Sequence, residues 1–183
     1  MKIVFSSHEL LSHAWANQSQ DHGRASGMSF QNGVLFSYST AIAELCESLI
    51  GEKIALMNDY SYSSSTSAHQ NYARRALSST IKKIAGLHYP SGSYDPQLSS
   101  LKMDNQNQFN SFAEYNEARA AELLVKASRA RLRGDHYKGQ AYDLLKAIND
   151  YAESFGFEYT FKTDLSALQV AERFLSCHSL KSF

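Results

Sequence analysis

The chain opens on Ile3, Val4 and Phe5, a short β-favouring apolar run that predicts a strand over residues 2–5. Ser6 followed three residues later by Glu9 has the form of a capping box, in which two side chains satisfy orphan backbone N–H groups at a helix start. It predicts a helix from there to about Gln18. On that helix Leu10, Leu11, Ala14 and Gln18 share one side with Trp15 at its edge. His8 and Ser12 flank Trp15, and His13 points to the wetter side. Next, Met28-Ser29-Phe30 and Val34 to Tyr38 are strand-like runs joined by Gln31-Asn32-Gly33. Asn-Gly tolerates positive φ at both turn positions, so this is a strong hairpin signal. A helix is expected to follow over Thr40–Ile50, closed by Gly51 in the left-handed cap position. Lys53 to Met57 reads as a strand. Ser67 with Gln70 forms a second capping box, for a helix reaching Ala85 whose inner face is Ala73, Ala76, Leu77, Thr80, Ile81 and Ile84.

Residues 89–108 hold both prolines and many polar side chains and read as a linker or ordered loop. A third capping box, Ser111 with Glu114, starts a helix running to Arg133. Gly134-Asp135 breaks the pattern, and a second helix follows from about Tyr137 to Phe155, making an αα-hairpin. A strand-like run over 157–161 and a last helix over 164–176 complete the chain. The fold class is therefore α+β: a mixed α/β sheet domain over 1–88, the linker over 89–108, and a helical region over 109–183.

Composition narrows the function. With 18 basic and 18 acidic side chains the formal net charge is zero, so bulk attraction cannot drive nucleic-acid binding. A local patch, or a partner that supplies the positive channel, must do so. Cys46 and Cys177 form no ligand or disulfide framework, which fits a reducing cytoplasm. The N-terminal apolar run is too short for a signal-peptide core, and no stretch approaches the apolar length of a membrane span. The spacings of metalloprotease, Walker and serine-hydrolase motifs are absent, so neither a metal nor another cofactor is expected.

Three predicted strands run into helices through hydroxyl- or amide-rich turns at Ser6-Ser7, Ser37 to Thr40, and Asn58 to Ser67. If the strands are parallel neighbours, three helix starts share one sheet edge, where backbone N–H groups and the helix dipole suit a phosphate. Ser7, Ser39, Thr40 and Ser67 are the candidate phosphate-binding residues, and each serves equally well as a simple N-cap. His8 and His69 lie in the first turns of two such helices. A neutral imidazole near pH 7 takes a proton from a ribose 2′-hydroxyl or, once charged, gives one to a leaving 5′-oxygen. Tyr38 is a candidate to orient a phosphate oxygen and Arg75 to offset developing charge, which together suit metal-independent RNA cleavage. The bland alternative makes each histidine a hydrogen-bonded structural residue. Two basic clusters, Lys126/Arg129/Arg133 and Arg74/Arg75/Lys82/Lys83, are candidate docking patches for RNA or an acidic protein surface, or else solvated charges.

The segments Ser7 to Leu10, His13 to Gln18, Gly27 to Phe30 and Leu35 to Ala43, followed by Tyr62 to Arg75 with Ser64, Thr66, His69 and Arg74-Arg75, resemble a small domain common on phages and plasmids. That likeness covers about the first 85 residues. As a whole the chain resembles phage-encoded type II-A anti-CRISPR proteins of the guide-RNA-truncating kind. The resemblance implies a cytoplasmic inhibitor, working in the host bacterium, that docks on a type II CRISPR-Cas effector nuclease and its guide RNA and causes the guide to be shortened. It carries over no catalytic residues, so the candidates rest on the reading above. Two alternatives stay open: a non-enzymatic inhibitor that blocks the effector's nucleic-acid groove, and a mobile-element domain with an unrelated anion-binding role.

Overall fold

In the computed structural model the described residues are 3–60, 62–85 and 100–162. The predicted helix over 164–176 and most of the predicted linker lie outside them. The chain divides into two compact units, Met1–Asn105 and Gln106–Phe183, and its class is α+β.

The first unit is built on six strands, β1 (His22–Ala25), β2 (Met28–Gln31), β3 (Val34–Ser37), β4 (Thr40–Glu47), β5 (Lys53–Met57) and β6 (Lys82–Ile84), which lie in the sheet in chain order. Helices α1 (His8–Ala16) and α2 (Ser64–Ala76) pack on each other, α1 against β1 and β2, α2 against β3 and β4. The pairings from β1 to β5 are antiparallel, and only β5 and β6 run parallel, joined through α2. The expected set of parallel strands, each feeding a helix, is therefore replaced by a meander with one βαβ unit at its end.

The Asn-Gly hairpin forms as expected between β2 and β3. Asn32 (φ 49°) and Gly33 (φ 84°) supply the two left-handed turn residues, and the predicted strand over 53–57 is β5. The predicted helix over Thr40–Ile50 is instead β4. Its Ala41 to Leu45 segment is buried without interruption between two neighbouring strands, so it shows no polar alternation, and its Ala, Glu and Leu content imitates a helix. Ser37 and Thr40 pair across a two-residue Tyr38-Ser39 turn, which returns the chain as a hairpin. A bulge near Leu35/Phe36 leaves Ile42 out of the β3 pairing, and Ile42 and Ala43 both join the same core. Gly51 does adopt positive φ (78°), but in the turn that joins β4 to β5. The predicted strand over 2–5 contributes a single parallel bridge, Val4 to Arg24.

Both capping boxes in this unit shift. Ser7, not Ser6, caps α1, its hydroxyl accepting from the Leu10 N–H, and Ser63, not Ser67, caps α2 through the Thr66 N–H. Gln70 does not reach back to a cap. It donates to the carbonyls of Asn58 (2.6 Å) and Tyr60 (3.0 Å) and ties the chain leaving β5 to α2. α2 ends at Ala76, well short of Ala85. Ser78 accepts the N–H of Thr80 at its hydroxyl and that of Ile81 at its carbonyl, and this turn sends residues 82–84 into β6.

The α1 face also differs from expectation. Leu11, Ser12 and Trp15 are buried, while Leu10 is half exposed. Leu11 and Trp15 join Met28, Phe30, Leu35, Leu45, Met57 and Ala73 in one core. The Trp15 indole N–H donates to the Gly33 carbonyl (2.6 Å), which also accepts from the Leu45 N–H (3.0 Å). A side chain at Gly33 would meet the Leu45 carbonyl at 2.9 Å, so glycine is needed there for closeness as well as for φ. Elsewhere in this unit, the buried Glu44 carboxylate accepts from the Ser100 hydroxyl (2.8 Å) and from the backbone N–H groups of Leu101 and Lys102, which holds residues 100–102 beside β4.

The second unit is the expected αα-hairpin, α3 (Gln106–Arg129) and α4 (Gly134–Phe155). Phe109 near the start of α3 stacks on Tyr151 near the end of α4, which sets the two helices antiparallel, and Phe157 stacks on Phe109 in turn. α3 begins before Ser111, whose hydroxyl donates to the Asn107 carbonyl inside the helix, so the third capping box does not form. Gly156 (φ 72°) closes α4. The strand-like run after it has no regular secondary structure and joins no sheet, held where the buried Glu117 carboxylate accepts from the Tyr159 hydroxyl and the Lys162 N–H. Among the described residues no helix is long and apolar enough to cross a membrane.

Trp15→Ala removes a large buried side chain together with a hydrogen bond. We expect it to lower stability by about 3–5 kcal/mol, read as a fall in the urea midpoint at unchanged slope. Trp15→Phe keeps most of the ring and should lose less.

Candidate functional site

Strand direction decides what gathers at each end of the sheet. β1 and β3 finish, β2 and β4 start, and β5 finishes at the same end. The β1–β2 turn (Ser26-Gly27), the β3–β4 turn (Tyr38-Ser39) and the chain leaving β5 at Asn58 therefore lie together. The start of α1 and the first half of α2 meet over this end. His8 and His69, remote in sequence, stand edge to face with ring centroids 4.6 Å apart. Tyr38 lies 6.0 Å from the His69 ring and Tyr72 5.8 Å from the His8 ring. Hairpin turns returning to one end, not parallel strands, bring His8, His69 and Tyr38 near one another.

His69 is 4 % exposed and held by a buried hydroxyl pair. Its Nδ1 is 2.8 Å from the Ser37 hydroxyl oxygen, and the Ser37 hydroxyl donates to Thr66 Oγ1 (3.2 Å). With the Ser37 proton directed to Thr66, the Ser37 oxygen accepts from Nδ1–H, which leaves His69 Nε2 as the unprotonated nitrogen. Burial first, and the neighbouring His8 second, hold His69 below the ordinary histidine value, so its ring is neutral near pH 7. His8 is half buried and its Nε2 bonds the Ser26 carbonyl, which makes that nitrogen the protonated one and leaves Nδ1 for exchange.

Tyr38 is exposed (65 %) although its φ is 56°, a left-handed conformation that costs a tyrosine about 1–2 kcal/mol. Its N–H donates to the Gly27 carbonyl (2.8 Å), and its ring rests against Gly27.

The other candidates fall in several places. Ser7 caps α1 with its own hydroxyl, Ser39 is exposed in the Tyr38 turn, and Thr40 begins β4, so Ser39 and Thr40 have no helix dipole behind them. Ser67 lies inside α2, its N–H given to the Ser63 carbonyl. Arg75 is exposed on α2, about 120° around the axis from His69 by helical spacing, and so is directed away from the pair. Arg74 ion-pairs with Asp59 and donates to Asn71. Lys82 and Lys83 sit on β6, not on a helix shared with Arg74, so the second basic cluster is split. Lys126 and Arg129 end α3, and Arg133 precedes α4, all exposed. Among the described residues no three His, Cys, Asp or Glu side chains gather as a metal site. Burial, with the Glu44 charge second, pushes the Cys46 thiol up to about 12, which leaves it un-ionised and a poor nucleophile.

From the sequence Ser37 enters only as part of a hydroxyl-rich turn and Thr66 only within the resembling stretch, neither as a partner of His69, and Tyr72 is not singled out. A signal exists: Thr66, His69, Gln70 and Ala73 follow the three-and-four spacing of one helix face, whereas the face expected from the sequence starts only at Ala73. No protein-family model, curated protein or solved structure matches this chain.

Because His69 binds protons less readily in the fold than in the unfolded chain, its contribution to stability is complete above its ordinary value of 6.5. It is lost as pH falls through the lower folded-state value. Unfolding measured between about pH 7.5 and 5 should therefore show a steeper acid loss in the native chain than in His69→Gln.

Proposed function

We propose that this chain is a metal-independent ribonuclease-type inhibitor of a type II CRISPR-Cas effector nuclease, shortening the guide RNA with His8 and His69. One observation carries the catalytic part: two histidines brought ring to ring at the sheet end, one with its tautomer set by a buried hydroxyl relay. His69 Nε2 takes the proton of the ribose 2′-hydroxyl, and the 2′-oxygen attacks phosphorus. The bond to the 5′-oxygen breaks, and that oxygen receives a proton from His8. The products are a 2′,3′-cyclic phosphate and a 5′-hydroxyl. Proximity of the two rings serves this exchange, since burial first and the neighbouring His8 second disfavour a charge on His69 and keep it available as the base.

The guide-RNA substrate and the effector partner rest on the resemblance of the first 85 residues and of the whole chain to guide-truncating anti-CRISPR proteins. The zero net charge accords with it. An effector that already holds its guide in a basic channel spares the inhibitor a large basic surface of its own. A second reading draws on the burial of His69. In it the pair is internal architecture, and the chain blocks the effector's nucleic-acid groove without cutting.

A denaturing gel of end-labelled guide RNA, with effector and chain together, separates the two. Cleavage predicts a discrete shorter guide bearing a 2′,3′-cyclic phosphate, formed undiminished in EDTA. His8→Ala and His69→Ala should each slow it by about 100-fold or more. An intact guide with lost DNA binding would establish blocking and end the catalytic reading.

A further inference from the structure

Tyr38 presents a conformational choice that its own packing does not explain. The β2–β3 turn fills its left-handed positions with Asn32 and Gly33, residues that tolerate them, whereas the β3–β4 turn places a tyrosine at φ 56°. The ring gains little burial in return, since Tyr38 stays 65 % exposed, more than Tyr60 or Tyr62 at 42 % each. Yet it is seated. A Cβ on Gly27 would come within 2.9 Å of Tyr38 Cε1 and 3.1 Å of Cζ, and Gly27 itself has φ 67°. The two neighbouring turns are thus built as a pair, a glycine that makes room and a tyrosine that occupies it, with the backbone bond from Tyr38 N–H to the Gly27 carbonyl between them. The outcome is an open aromatic surface held 6.0 Å from the His69 ring.

We infer that Tyr38 is a stacking platform for a nucleobase of the RNA strand at the His8–His69 site, and that the substrate there is single-stranded. An exposed aromatic accepts the face of any base, and a base offers that face only when it is out of a duplex. This assignment rests on the reading of the histidine pair as an RNA site, but differs from it in role. Tyr38 positions the strand through its ring, not through its hydroxyl.

Binding of the full chain to a fluorescent single-stranded oligonucleotide, with deoxyribose at every position so that it cannot be cut, tests the platform apart from the chemistry. Anisotropy titrations should show Tyr38→Phe binding within about two-fold of the native chain, and Tyr38→Gly weaker by about ten-fold or more. Tyr38→Gly should unfold at no lower temperature than the native chain, because glycine takes the left-handed conformation without strain. Gly27→Ala, which displaces the ring while keeping it, should also weaken binding, and a duplex of the same sequence should bind less well than the single strand. Equal binding by native chain and Tyr38→Gly overturns the platform and leaves the histidine reading intact. Loss in Tyr38→Phe as large as in Tyr38→Gly overturns it in favour of the hydroxyl. Tyr38-dependent capture of RNA-free effector would make the residue a protein contact and overturn it as well. Tyr38-dependent binding in a chain that cuts no RNA would support the platform while the cleavage reading falls.

Discussion

The seating of Trp15 governs what the first unit can do. Its indole is buried in the core and donates to the Gly33 carbonyl, an oxygen that also closes the irregular junction between the β2–β3 turn and β4. With the fully buried Leu11 it anchors α1 on the sheet. A helix as short as α1 has little stability of its own, so its place depends on this packing. His8 lies two turns before Trp15, on the same side, and is carried to the sheet end where α2 presents His69. Loosening Trp15 would therefore separate the histidines without touching either one.

A second constraint is polar. Ser37, Thr66, His69, Gln70 and Asn58 are all buried, and burying such groups is costly unless each finds a partner. Here they do. Ser37 joins His69 to Thr66, and Gln70 reaches the carbonyls of Asn58 and Tyr60. Asn58 in turn donates through its side chain to the Ala41 carbonyl and the Tyr62 hydroxyl. This network does more than hold α2 against β3 and β4. It selects the orientation of the His69 ring and which nitrogen carries the proton, and both would matter to proton transfer.

Local chemistry that closes over a few residues was legible in the sequence. The Asn32-Gly33 turn, the strand over 53–57 and the αα-hairpin all follow from short-range signals, although the break in that hairpin falls at residues 130–133 and Gly134 opens α4 instead of interrupting the helices. The meeting of His8, Tyr38 and His69 was also anticipated, but from a topology that does not occur. What failed was whatever tertiary context decides. β4 is shielded on both faces and on both edges, so its apolar run carries no period, and helix-favouring residues mislead there. α2 stops at Ala76 because hydroxyl-rich Ser78 captures backbone donors that a helix would otherwise use. The serine-rich segment from Ser61 to Ser67 offers several possible caps, and spacing alone selected the wrong one. The link from Ser37 and Thr66 to His69 was not legible because a buried hydroxyl looks like a turn residue until its partner is known.

The proximity that joins α1, α2 and the hairpin turns is best tested by nitrogen-15 NMR of the histidine rings. The native chain should show His69 protonated at Nδ1, titrating below the ordinary histidine value, and moving toward that value in His8→Gln as the neighbouring charge is removed. A His69 that titrates at the ordinary value and ignores the change at His8 would mean that the two rings do not share a pocket.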